Sequence, residues 1–168
     1  MVVDLARLSR HLFTGRLAVQ RIFHARTLQA VELAIRQAES GHEGEIRFAV
    51  EASLNTLPLL RGQSARERGL EVFSQLRVWD TEHNNGVLIY LLLADRDVEI
   101  IADRGIHRRA GDEKWEAICR EMEAAFREGQ FEAGVIAGIH AVGNQLREYF
   151  SVKRESRANE LSDSPVIL

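Results

Sequence analysis

One run of residues constrains the fold more than any other: Gly86-Val87-Leu88-Ile89-Tyr90-Leu91-Leu92-Leu93-Ala94 carries no charge at any position. A strand that is apolar on both faces belongs in the middle of a sheet covered by helices on each side. The run is far short of the ~20 residues a membrane helix requires. After Asp95-Arg96, the stretch Asp97-Val98-Glu99-Ile100-Ile101-Ala102-Asp103 returns as a second strand. Two turn residues between apolar runs imply an antiparallel hairpin. With Asp95 and Arg96 at its tip, Ala94 faces Asp97, Leu88 faces Asp103 and Gly86 faces Gly105.

The flanking segments supply the other layers. Glu45 to Ala52 alternates in polarity and reads as a strand with one buried face. Thr27 is placed to cap a helix whose face is Leu28, Val31, Ile35 and Ala38, with Gly41 as its left-handed stop. Ser64 caps a helix to about Leu76, with Leu70, Phe73 and Leu76 inward. Asp112 opens a helix through Phe126 that Gly129 ends, and Phe131 to Tyr149 forms the last one. Gly134, Gly138 and Gly143 mark close packing of that helix on the sheet. The implied order is α-α-β-α-β-β-α-α. The expected fold class is α/β, a three-layer α/β/α sandwich with a small mixed sheet: a parallel β-α-β crossover and then the hairpin. The expected organisation is a basic amphipathic helical arm over 1–26, an α/β domain over 27–150 and a flexible tail over 151–168, polar from Lys153 to Asp163.

Composition removes several function classes. Apolar residues make up 45% and charged residues 28% of the 168, the balance of a folded globular domain. A formal net charge of −3, with no Lys/Arg stripe interleaved with aromatics, argues against nucleic acid as a partner. Cys119 is the sole cysteine, so no internal disulfide forms, and its helical context makes it a small core hydrophobe. No apolar leader run occurs in the first 26 residues, and the expected location is the cytoplasm. There is no Gly-x-Ser-x-Gly elbow, no P-loop and no His-Glu-x-x-His, and no organic cofactor is expected. Within the arm, Arg7, Arg10, Arg16, Arg21 and Arg26 face only Asp4. Such a stretch either packs on its own domain or lies on an anionic membrane surface or partner.

His83-Asn84-Asn85-Gly86-Val87-Leu88-Ile89-Tyr90, followed by Asp95-Arg96-Asp97-Val98-Glu99-Ile100, resembles the signature of the TPM domain family. A second matching block is Ala125-Phe126-Arg127-Glu128-Gly129-Gln130-Phe131-Glu132-Ala133-Gly134, and Gly44 to Val50 is similar to the family's first strand. The resemblance spans about Thr27 to Arg147. It implies an α/β/α fold and an accessory, protein-interaction role, with calcium binding and weak acid phosphatase activity described among members. Two positions depart from the pattern. Asn84 stands where the family usually has Asp, which removes a charge a hard cation prefers. Asp103-Arg104-Gly105-Ile106 stands where a Gly-aromatic-Gly-Leu loop is common.

Two groups of acids are therefore candidates. Asp80, Glu82, Asn84, Asn85 and Asp103, with His83 and His107 nearby, gather at one end of the sheet. Oxygen-rich ligands on loops suit Ca²⁺ or Mg²⁺ rather than zinc. The other reading is plain turn chemistry with solvated acids. Asp95, Arg96 and Asp97 form the second candidate at the opposite end, ~25 Å away at ~3.3 Å per strand residue, or else an ordinary hairpin tip. The leading expectation is an accessory module with a protein partner, weakly binding a divalent cation. The alternative is a metal-dependent acid phosphatase of low activity.

Overall fold

In the computed structural model, which describes residues 4–151 and 159–168, the apolar run forms strand β2 (Gly86–Leu92), buried at every residue. It pairs in parallel with β1 (Glu45–Glu51) and antiparallel with β3 (Asp97–Ala102). The sheet order is β3-β2-β1-β4, where β4 is Val166–Ile167, parallel to β1. Phe48, Val50, Ile89, Leu91, Val98 and Ile100 join one hydrophobic cluster; Ala49, Leu88, Tyr90, Leu92 and Ile101 join the other. Helices α3 (Ala25–Glu39), α7 (Asp112–Arg127) and α8 (Phe131–Tyr149) cover the first face. Helix α5 (Ala65–Gln75), after the short α4 (Thr56–Leu60), covers the second. This is the α/β/α sandwich that a two-sided apolar strand demands.

Several local expectations shift in ways that position the sites. The hairpin connection is Leu93 to Arg96 rather than two residues, so Leu92 faces Asp97, Leu88 faces Ile101 and Val87 faces Ala102. The pairing is two positions from the expected one, which leaves every side chain on its expected face. All seven residues of β1 are buried, including Glu45, Arg47 and Glu51. Its second face is not solvated because α5 and residues 159–168 cover it. Helix α5 starts with a complete Ser64/Glu67 capping box, but Ala65, Gly69 and Val72 face inward and Leu70 is exposed. Gly69 explains the rotation, because a Cβ there would meet Ile101 and Tyr90.

His24, not Thr27, caps α3: its Nδ1 accepts from the Thr27 N–H, and the Thr27 hydroxyl donates to Glu132 at 2.5 Å. Gly41 is not left-handed; a side chain there would run into Arg147. The glycines of α8 pack against helices rather than the sheet, since Gly134 and Gly138 face Phe126 and Met122 of α7 and Gly143 faces Ala38 of α3.

Both chain extensions are tied into the domain. Helix α1 (Leu5–Phe13) leads to α2 (Arg16–Ile22), where Val19 and, just beyond, Phe23 belong to the main core. A boundary at residue 26 therefore marks no break in packing. Residues 159–168, expected to be part of a flexible tail, lie along β1 instead. The Leu168 N–H donates to the Val50 carbonyl, Arg47 donates to the Ser162 carbonyl, and Glu45 accepts from the Glu160 and Leu161 amides. The expected tail residues 152–158 lie outside the described residues.

Candidate functional site

At the β2 entrance, backbone geometry brings two loops together. Asn84 takes a left-handed conformation with φ 51°, which Asn tolerates better than most residues. Its carbonyl accepts from the Gly105 N–H at 2.9 Å, and a Cβ on Gly105 would sit 2.5 Å from that oxygen. The loop before β2 and helix α6 (Arg104–Ala110) therefore meet, as expected, but not as a set of acids. Asp80 and Glu82 are exposed. Asn85 is buried, with Nδ2 donating to the Glu43 carbonyl and its N–H to the Thr81 hydroxyl. Asp103 is the N-cap of α6, accepting from the Arg104 N–H at 2.7 Å. The Asn84 side-chain oxygen accepts from Arg104 Nε at 3.2 Å.

Asn85 Oδ1 and Asp103 Oδ2 are buried without a hydrogen-bond partner among the described residues. They are two oxygens where Ca²⁺ takes six to eight, and of the two residues only Asp103 is a carboxylate. Among the described residues no three His, Cys, Asp or Glu side chains converge on a common point. A cavity of about 310 Å³ opens here, lined by His83, Asn84, Arg104, Gly105, Arg108 and Arg109. Arg109 reaches the Tyr149 carbonyl and stacks over Phe150, and His83 lies 3.5 Å from Glu43. The donor set is dominated by arginine and does not fit a divalent metal. Sequence reasoning missed Arg108 and Arg109, although the Arg-Gly-Ile-His-Arg-Arg run was the visible signal.

The second candidate group separates into two roles. Asp95 is held by the N-terminal arm: Arg7 Nε lies 2.9 Å, His11 Nε2 3.1 Å and Arg10 Nη2 3.3 Å from its carboxylate. His11 is buried and its Nδ1 accepts from the Leu54 N–H at 3.0 Å, so the proton sits on Nε2, toward Asp95. Burial pushes the Asp95 pKa up, and the hydrogen bonds from Arg7 and His11 together with the Arg7 charge outweigh it, leaving a net downward shift. Asp95 is an anchor for the arm. Arg96 is exposed at the turn, with φ 51°.

Asp97 faces the opposite situation. Burial, then Glu99, Glu123 and Asp95, push its pKa up to about 6. It borders a cavity of about 500 Å³ along the outer edge of β3, with Arg66, Glu99, Cys119, Arg120 and Glu123. Burial also pushes the Cys119 thiol up to about 12, which removes it as a nucleophile. Side chains occupy the open strand edge: Val98 N–H meets Glu123 at 3.5 Å, and Arg66 donates to the Ile100 carbonyl at 2.8 Å. Such plugs guard an edge against pairing with another chain. Because the folded state holds the Asp97 proton more tightly than the unfolded chain, its stabilisation is complete below about pH 4 and disappears as pH rises through about 6. Asp97→Asn is expected to raise stability by about 1–2 kcal/mol at pH 7.5, after discounting for solvent screening, and hardly at all at pH 3.5. Urea midpoints at the two pH values check this.

The TPM domain model matches residues 19–145 of the chain. Among solved structures, the chain is 30% identical to the BA42 protein of the psychrophilic bacterium Bizionia argentinensis, with a TM-score of 0.74, covering 85% of this chain and 93% of that one. It is 21% identical to the N-terminal domain of a protein from P. gingivalis, with a TM-score of 0.62, covering 77% of this chain and 82% of that one. Among curated proteins, none matches. No helix among the described residues is long and apolar enough to cross a membrane.

Proposed function

The chain belongs to the TPM domain family, and from that premise we propose that it is a binding module whose ligand is an anionic group, a phosphate or carboxylate presented by a protein partner. One observation supports the reading above all: the cavity at the β2 entrance is lined by His83, Arg104, Arg108 and Arg109 where the resemblance led us to expect carboxylates. Guanidinium groups bind oxyanions by paired, charge-assisted hydrogen bonds, worth more than neutral ones. Of these, Arg108 makes no ion pair among the described residues, and it is exposed. The same cations would repel Ca²⁺ or Mg²⁺ from Asp103. Cys119 cannot serve a phosphatase at this cavity, since it lines the separate cavity along β3.

The test is a two-dimensional NMR titration of the labelled full chain with inorganic phosphate, and separately with Ca²⁺. Phosphate is expected to give saturable shifts at residues 83–84 and 104–109. The Arg104→Gln/Arg108→Gln variant should bind at least about tenfold more weakly, since each charge-assisted bond contributes about 1.5–3 kcal/mol. Saturable Ca²⁺ shifts over 80–86 and 103–107, with none from phosphate, would restore the divalent-cation reading and reject this one. Turnover of a phosphate monoester that Arg104→Gln abolishes would establish the hydrolase instead.

A further inference from the structure

The first helix is mounted the reverse of a normal surface helix. Amphipathic helices in soluble domains turn apolar residues inward and charges outward. In α1 the inward side presents Arg7 and His11, one turn apart, to the Asp95 carboxylate, with only Leu8 packed on the core. Leu5 and Leu12, two turns apart on the other side, are 74% and 66% exposed. Phe13 is 87% and Leu17 69% exposed, so Leu12, Phe13 and Leu17 lie at the junction between α1 and α2, largely uncovered by the described residues. The polar anchor fixes which side of the helix faces out.

The charge around this apolar ridge is mostly positive, with Asp4, the N-cap of α1, as the one acid from residue 4 to Val31. From Leu5 to Val31 the chain holds five arginines and no acid, inside a protein of net charge −3. Arg16, Arg21 and Arg26 are exposed and make no ion pair among the described residues. Exposed large apolar side chains flanked by unpaired cations, on a short rigid helix pair, match what an interfacial segment needs: apolar groups that enter the acyl boundary and arginines at headgroup level. We propose that α1 and α2 form a peripheral docking face for an anionic lipid bilayer, with Leu5, Leu12, Phe13 and Leu17 inserted and Arg16 and Arg21 at the phosphates.

The experiment is sedimentation of the full chain with vesicles of phosphatidylcholine alone and of phosphatidylcholine mixed with phosphatidylserine. The protein is expected to pellet with the anionic vesicles, and less so at high salt. Arg16→Gln/Arg21→Gln should weaken partitioning by roughly twenty-fivefold, at about fivefold per basic residue near an anionic surface. Leu12→Glu/Phe13→Glu/Leu17→Glu should abolish it, and its circular dichroism should match the parent because all three side chains are exposed. Protein that stays in the supernatant, binds neutral vesicles equally well, or pellets unchanged as the triple variant overturns the proposal. A dimer in size-exclusion chromatography that the triple variant dissolves, without lipid binding, assigns the ridge to a second copy and overturns it too.

Discussion

Glu51→Ala is expected to destabilise the protein by about 3–5 kcal/mol in urea denaturation, as removal of one partner from a buried ion pair does. Glu51 is buried at the end of β1 and holds two groups at once. Its carboxylate takes a fork from Arg68 at 2.8 and 3.2 Å and accepts the Tyr90 hydroxyl at 2.7 Å. The hydrogen bond to Glu51 raises the Arg68 pKa, and burial followed by the Glu51 bond raises that of Tyr90. Without the carboxylate, the fully buried phenol loses its acceptor under α5 and the guanidinium is left with Glu71, at 2.8 Å. Removing the orphaned hydroxyl as well should recover part of the loss, so Glu51→Ala/Tyr90→Phe should cost less than the two single changes added together. A Glu51→Ala cost below about 1 kcal/mol would mean that water replaces the carboxylate, and that this end of the sheet is wetter than its packing implies.

The second large effect is expected at Gly86. A methyl group there would fall inside the van der Waals surface of the Val78 carbonyl oxygen. The obstacle is backbone, which cannot rotate away, so Gly86→Ala should cost about 3 kcal/mol or more, at the top of the usual range for overpacking. Gly138→Ala offers the comparison: its methyl meets the Met122 thioether, which can swing aside, and its cost should be smaller. Equal urea midpoints for the two variants would show that the Val78 segment yields as easily as a side chain. Since Gly86 opens β2, its variant should also disturb the basic cavity, seen as altered NMR shifts for Asn84 and Arg104.

Gly86 shows where sequence reading succeeds and where it stops. Asn84-Asn85-Gly86 reads as turn chemistry, and the left-handed residue is indeed in that triplet, but it is Asn84. Gly86 is needed because another backbone passes close by, a requirement that local sequence does not record. The strongly periodic elements were legible: β2, the helices Asp112–Arg127 and Phe131–Tyr149, and the Ser64 cap. β4 was not, because two strand residues after Pro165 are too few to show a period. The polar residues of β1 were read as a wet face; they are polar because Glu45 and Arg47 bind residues 160–162. At the candidate sites the sequence did not show which side chains each acid meets. Asp95 pairs with an arginine 88 positions away, and Asn84 with one 20 positions away, so their meaning depended on the tertiary fold.

The late arrival of β4 has a consequence for how the chain is made. Glu45 receives the Leu161 amide across 116 residues of sequence. At ~5–20 residues per second of synthesis, β1 waits on the order of ten seconds for its neighbour on that side. Over that interval the strand is an open template in a nascent chain, while its other flank can already zip to β2. A newborn molecule therefore passes through a stage in which that edge of β1 is open to pairing with another chain.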